Sequence, residues 1–153
     1  MEDITLRGAE GQFNLAARAV ILRGGKLLMV KDHLGRYYYP IGGRVQLHET
    51  TAQAAEREAL EETGAAFAAQ RLLFIHENFF GEAYEPGLGN HHELCLIYLM
   101  RHIAGEVRAV TDGGEELVWL PVDALGEYKV YPQFFPTELP RLTNEIQHFV
   151  TKE

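Results

Sequence analysis

Gly43-Arg44-Val45-Gln46-Leu47-His48-Glu49, then seven residues, then Arg57-Glu58-Ala59-Leu60-Glu61-Glu62-Thr63-Gly64-Ala65, is the run that decides how this chain folds. The Gly42-Gly43 pair reads as a turn after Tyr37-Tyr38-Tyr39-Pro40. Thr50, with Gln53 three residues on, gives the capping-box pattern and opens a helix over residues 50–63. Gly64, just past its end, suits a left-handed C-terminal cap. Ala52, Ala55 and Ala59, extended by Leu60, form a small apolar side that lets the helix approach a sheet closely.

Glu58, Glu61 and Glu62 stand at i, i+3 and i+4 and so share one helix face. Like charges at that spacing destabilise a helix by about 0.2–0.5 kcal/mol per pair. Anions in a last turn also face the negative end of the helix dipole, which costs roughly 0.3–1 kcal/mol each. Arg57 points about 100° away around the helix and is not expected to neutralise all three. For an arbitrary helix a solvated acidic face is the simpler reading. A hard divalent cation is the other use for such a patch: Mg²⁺ prefers oxygen ligands and is commonly shared between one or two carboxylates and substrate phosphates. Mn²⁺ accepts similar ligands.

The spacing resembles the Nudix box, with Gly43, Glu49, Arg57, Glu58, Glu61, Glu62 and Gly64 on its fixed positions. Ala59 and Ala65 stand where larger aliphatics are usual, Ile41 interrupts the common Pro-Gly-Gly, and Gln46 and His48 replace frequent Glu and Gly. None of these departures removes a carboxylate. The resemblance implies an α/β (α+β) fold, an α/β/α sandwich with a mixed curved sheet. It also implies Mg²⁺-dependent hydrolysis of a diphosphate linkage in a nucleoside diphosphate derivative or nucleoside triphosphate, Mn²⁺ being able to substitute. Glu58 and Glu62 are the implied metal ligands, with Glu61 bound directly or through water and a backbone carbonyl from the Gly42-Gly43 turn added. Either Glu58 or a carboxylate outside the box is the implied general base. Arg57 is to orient the glutamates, Glu49 to brace the loop–helix junction, and Gly43, Glu49 and Gly64 to shape the box. An acidic residue near the metal is implied downstream; Glu115 and Glu116 are candidates and Glu116 is favoured. A rival reading from a different class is a nucleotide-sensing module on the same fold that binds without cleaving; the intact carboxylates favour the enzyme.

The composition sets limits on this reading. With 153 residues, 46% hydrophobic and 24% charged, the chain is expected to form one domain over residues 1–153 with a core of its own. Its formal net charge of −8, with no Lys/Arg cluster, excludes a nucleic-acid polymer as partner. A small phosphorylated substrate stays compatible because a bound metal ion inverts the local sign. No apolar run approaches the roughly 20 residues a bilayer span needs, and Met1-Glu2-Asp3-Ile4 lacks a signal-peptide core. A cytoplasmic protein without membrane partners is the expectation. A homodimer follows only from the resemblance. Cys95, the sole cysteine, sits in Leu94-Cys95-Leu96-Ile97 and reads as a buried, inert thiol.

Outside the box, residues 13–23 and 26–31 read as strands joined by a Gly24-Gly25 hairpin. Residues 67–80, 92–103 and 116–120 are further strands, residues 121–125 a helical turn, and residues 81–90 the longest turn-rich loop. From Thr137, the spacing of Leu139, Leu142, Ile146 and Phe149 predicts an amphipathic helix. On the substrate side, Arg18 reads equally as a phosphate contact or a strand-edge charge. Tyr39 and Tyr84 are candidates to stack a base, within an aromatic set that includes Tyr37, Tyr38, Phe79 and Phe80. Strand alternation sends His91 and Glu93 to one face and His92 to the other.

Overall fold

The structure, a computed structural model, describes residues 2–81 and 89–152. Strands β1 (Thr5–Gly8), β2 (Gly11–Val20), β3 (Leu22–Arg23), β4 (Lys26–Lys31) and β5 (Tyr38–Arg44) precede helix α1 (Thr51–Thr63). Strands β6 (Ala66–Phe80), β7 (His91–Ala104) and β8 (Leu117–Pro121) follow, then a 3-10 turn (Val122–Glu127), helix α2 (Phe135–Glu138) and strand β9 (Gln147–Lys152). The sheet runs β3-β4-β5-β2-β7-β6-β9, with β1 added to β2 and β8 to β4. It is mixed: β2 runs parallel to β7 and β6 parallel to β9, and the other pairs are antiparallel. This is the expected α+β class. No described helix is long and apolar enough to cross a membrane.

Local chemistry explains the elements that position the site. Gly24 and Gly25 carry φ of 56° and 77°, so the β3–β4 hairpin turns where only glycine is unstrained. Thr50 accepts from the Gln53 N–H, and the Gln53 side chain accepts from the Thr50 N–H, so the capping box forms as expected. Helix α1 buries Ala54, Ala55 and Ala59 against Ala17, Ala19 and Ile41 of β2 and β5. The small side chains bring the helix axis close to the sheet, which sets the reach of its glutamates. Leu60 is not part of that face; it is 52% exposed. Thr63 is buried instead, and its hydroxyl donates to the Ala59 carbonyl at 2.6 Å.

No amphipathic helix forms after Thr137. Helix α2 lasts four residues, a 3-10 turn covers Leu139–Arg141, and the chain then extends as β9. Pro140 lacks the N–H that a continuing helix needs. From Gln147 onward burial alternates residue by residue, as a strand requires. The layer covering the far face of the sheet is therefore thin, built on Phe135, Leu139 and Leu125 packed against Phe74 and Ile97.

Candidate active site

The end of β5 and the last turns of α1 meet at the glycine pair. The Gly42 N–H donates to Glu62 Oε2 at 2.9 Å. A Cβ on Gly43 would lie 2.5 Å from Glu58 Oε1, so glycine is what allows that carboxylate to lie against the turn. Arg57, half-buried, bridges the helix to the loop before it. Its Nε donates to Glu49 Oε2 at 2.7 Å, and its Nη2 to Glu49 Oε1 and the Arg44 carbonyl at 3.1 and 3.0 Å. Its Nη1 donates to Glu58 Oε1 at 3.0 Å and to Glu61 Oε2 at 3.3 Å. The long side chain thus overcomes the 100° offset expected from the helix alone, reaching two of the three glutamates and leaving Glu62 aside. Glu49 also accepts from the Gln46 N–H, which ties the loop to the helix. The Arg57 hydrogen bonds hold the Glu49 carboxyl below its ordinary range.

The two inner carboxylates carry the opposite strain. Burial pushes Glu62 up to about 7; Arg18 and the Gly42 N–H oppose the shift, while Glu58 and Asp112 add to it. Burial also raises Glu58, against the pull of Arg57. For both groups, burial disfavours the charged form. Among the described residues no group of three or more His, Cys, Asp or Glu side chains is arranged to hold a metal ion. An ion that keeps several waters and takes one or two carboxylates needs none, so the oxygen donors of Glu58 and Glu62 fit a hard divalent cation. A stability effect follows from Glu62. Its folded pKa of about 7 exceeds the ordinary 4.5, so the cation-free fold is most stable below the lower value and loses stability as pH rises through the upper one. Thermal melts in chelator from pH 5 to pH 8 are expected to show this decline, at most about 2–3 kcal/mol, and saturating divalent cation is expected to reverse it.

The helix end has a support that sequence reading missed. The Arg108 N–H donates to the Thr63 carbonyl at 2.8 Å, and its Nη2 donates to the Glu61 carbonyl. A guanidinium from beyond β7 thus satisfies the last carbonyls and offsets the dipole that the glutamates oppose.

Arg18 lies on β2, flanked by β5 and β7, so it is not a strand-edge charge. Its Nη1 donates to the Pro40 carbonyl at 3.0 Å. Burial works against its charge, but the surrounding groups, Glu93 foremost and Glu62 among them, outweigh this and raise its pKa. Arg18, Phe80 and Glu93 line both a groove reaching Glu58 and Gly43 and an adjoining cavity of about 210 Å³. Tyr39 faces that cavity; burial, with Glu115 adding, pushes its hydroxyl up to about 12. Tyr84 lies outside the described residues. Glu116 is exposed, and strand alternation sets its side chain on the face opposite Leu117, away from α1. Glu115 and Asp112 are the downstream acids whose charges act on Tyr39 and Glu62. Phe80 stacks on His91 and Phe79 on His92, so the two faces divide as alternation predicts. Cys95 is buried, and burial pushes its thiol up to about 12, consistent with an inert side chain.

The glycine turn at the end of β5 and the half-buried glutamates Glu58 and Glu62 of α1 thus meet at one place in an α+β frame. A family model described as the NUDIX domain matches residues 12–138, and the chain belongs to the Nudix family. It is an enzyme, a Nudix hydrolase. Members generally use divalent metal ions and act on small nucleotide derivatives. Among solved structures, an ADP-ribose pyrophosphatase from Streptococcus suis is 19% identical with a TM-score of 0.62, over 89% of this chain and 98% of that one. A MutT protein from Bacillus halodurans is 14% identical with a TM-score of 0.68, over 91% and 90%. A MutT NUDIX hydrolase from Burkholderia pseudomallei is 28% identical with a TM-score of 0.55, over 73% and 85%. The first two likenesses show the fold alone. No curated protein matches the chain.

Proposed function

We propose that this enzyme hydrolyses the diphosphate linkage of a nucleoside diphosphate derivative or nucleoside triphosphate with Mg²⁺, which Mn²⁺ can replace. The observation that carries the reading is the pair of desolvated carboxylates, Glu58 and Glu62, lying against the Gly42-Gly43 turn. Glu58 and Glu62 would hold the ion, with Glu61 beside them and the Gly43 carbonyl as a further oxygen donor. When bound, such an ion neutralises phosphate oxygens and lowers the pKa of a coordinated water.

The chain's own residues supply the rest. Arg57 fixes the rotamers of Glu58 and Glu61 through its fork, and Glu49 fixes Arg57. Arg18, between the glutamates and the cavity, receives the phosphate of the substrate. Tyr39 forms part of the wall beyond it. The general base is Glu58 or one of the acids of the 112–115 turn, Asp112 or Glu115, in preference to Glu116. The whole chain acts as one unit on a small substrate.

A panel of nucleoside triphosphates and diphosphate-linked nucleotides with Mg²⁺, resolving both products in isotopically labelled water, tests the reading. Turnover of at least one compound with label in a phosphate product supports it; a panel without turnover contradicts it. Arg18→Ala is expected to raise KM about tenfold or more, the worth of one charge-assisted hydrogen bond, with a smaller change in kcat. Equal KM values in variant and wild type would remove Arg18 from the substrate site.

A further inference from the structure

The register of four adjacent strands composes a polar wall from distant parts of the chain. Asn14 of β2, Glu93 of β7, Asn78 of β6 and Thr151 of β9 are successive partners across the sheet. The next row on that face is Ala16, Cys95, His76 and Phe149. Register partners project side by side from the same face. Glu93, Asn78, Thr151 and His76 all line the cavity of about 210 Å³ beside Arg18.

The hydrogen bonds fix what that wall offers. The Thr151 hydroxyl donates to Asn78 Oδ1 at 2.9 Å and lies 2.8 Å from His76 Nε2. A hydroxyl has one proton, so toward His76 it accepts, and Nε2 carries the ring proton. His76 Nδ1 is then an acceptor. Burial, aided by Arg18, pushes His76 down to about 4, so the ring stays neutral at neutral pH. Among the described residues no donor hydrogen-bonds the Glu93 carboxylate, and Arg18 attracts it without forming an ion pair within 4.0 Å. On this wall the Glu93 carboxylate and His76 Nδ1 are acceptors with no donor among the described residues, beside the donor nitrogen of the Asn78 amide. Tyr37, Tyr39 and Phe80 line the same cavity. Planar rings beside an unfilled acceptor suit a flat ligand with a donor on its edge, and less so a sugar, which has no face to stack.

We propose that this cavity receives a nucleobase and that Glu93 reads its exocyclic amine, so that amine-bearing bases are accepted over those with a carbonyl in that place. The inference rests on the nucleotide-hydrolase reading above. Cytosine N4 and adenine N6 donate two protons each, and carboxylates accept from such amines. Uracil and hypoxanthine put carbonyl lone pairs at the same position, against a negative charge. A site built around a donor rejects the analogue without it because its own acceptor is left unpaired.

Calorimetric titration of the metal-free protein with CMP against UMP, and with AMP against IMP, tests this apart from catalysis. The amine-bearing member of the pair the cavity accepts is expected to bind about tenfold tighter or more. Glu93→Gln and Glu93→Ala are expected to abolish that preference; both also remove the foremost charge that sustains the buried Arg18 guanidinium, so melting temperatures are expected to fall and binding is compared at a temperature where circular dichroism shows each variant folded. Equal binding within both pairs, a preference that survives both variants, or one that follows the ribose hydroxyls in 2′,3′-dideoxy analogues overturns the proposal. Running the hydrolysis panel in parallel separates the two readings: turnover indifferent to the base overturns this inference alone, whereas no turnover and no binding overturn both.

Discussion

Replacing Glu62 with Gln is expected to remove nearly all turnover and, without divalent cation, to raise the melting temperature. The two effects share one cause. The Glu62 carboxylate is desolvated, its pKa is pushed to about 7, and the Gly42 N–H donates to it. Glutamine has the same shape, keeps an oxygen for the Gly42 N–H, and carries no charge. At pH 8 in chelator the gain is expected at roughly 1–3 kcal/mol, or a few degrees for a chain of this size. Turnover with Mg²⁺ should fall at least about a hundredfold, the upper end of what losing an outer-shell partner of a metal ligand costs. Glu58→Gln should share the loss of turnover with a smaller gain in stability, because Arg57, 3.0 Å from that carboxylate, offsets part of its burial. Steady-state kinetics and thermal melts of both variants check this. Near-normal kcat in both, or a lowered melting temperature for Glu62→Gln, would contradict it.

Arg57→Ala is expected to have the largest cost in stability. Arg57 donates to three glutamates and to the Arg44 carbonyl, and the Glu49 side chain it pairs with is only 9% exposed. Removing it leaves a nearly buried carboxylate without its partner, a change worth about 3 kcal/mol or more. The melting temperature should drop by roughly 5–10 °C, and turnover should fall because Glu58 and Glu61 lose the group that holds them. Arg57→Lys should recover little of either, since a point charge cannot fill a fork of donors facing Glu49, Glu58 and the Arg44 carbonyl at once. The deficit has a pH signature. Glu49 is held below its ordinary pKa of 4.5, so its stabilisation is present above that value and is lost as pH falls through the lower, folded one. Wild type and Arg57→Ala should therefore converge in acid; a difference that persists unchanged there would show that the contacts are not electrostatic in origin.

The site was legible in the sequence where its residues lie on one helix. Helical period alone puts Glu58, Glu61 and Glu62 together, and Thr50, Gln53 and Gly64 mark the ends of that helix. What lay beyond reach was assembled by strand register. His76, Glu93 and Thr151 are far apart in the chain and become neighbours only because β6 pairs with β7 and β9. A signal was present: the apolar run Leu72-Leu73-Phe74-Ile75 gives way to His76-Glu77-Asn78 before Phe79-Phe80, a polar break in the middle of a strand. Arg108 gave no signal, since a helix cap supplied from a later loop has no fixed spacing. The tail misled because Leu139, Leu142, Ile146 and Phe149 fit a helical period. Pro140 and the alternation through Gln147, Phe149 and Thr151 were the better guides. Leu60 misled for a related reason: Thr63, its hydroxyl satisfied by the Ala59 carbonyl, can be buried at the position an apolar residue was expected to fill.

The central claim is that Glu58 and Glu62 together bind a divalent cation. The most direct test is to titrate Mn²⁺ into the nucleotide-free protein at pH 8, following free ion by its paramagnetic resonance signal, for wild type and the Glu58→Gln/Glu62→Gln double variant. Saturable binding in wild type that disappears in the folded double variant is the predicted result. Equal binding by the two proteins, or none by either even with a nucleotide present, would contradict it.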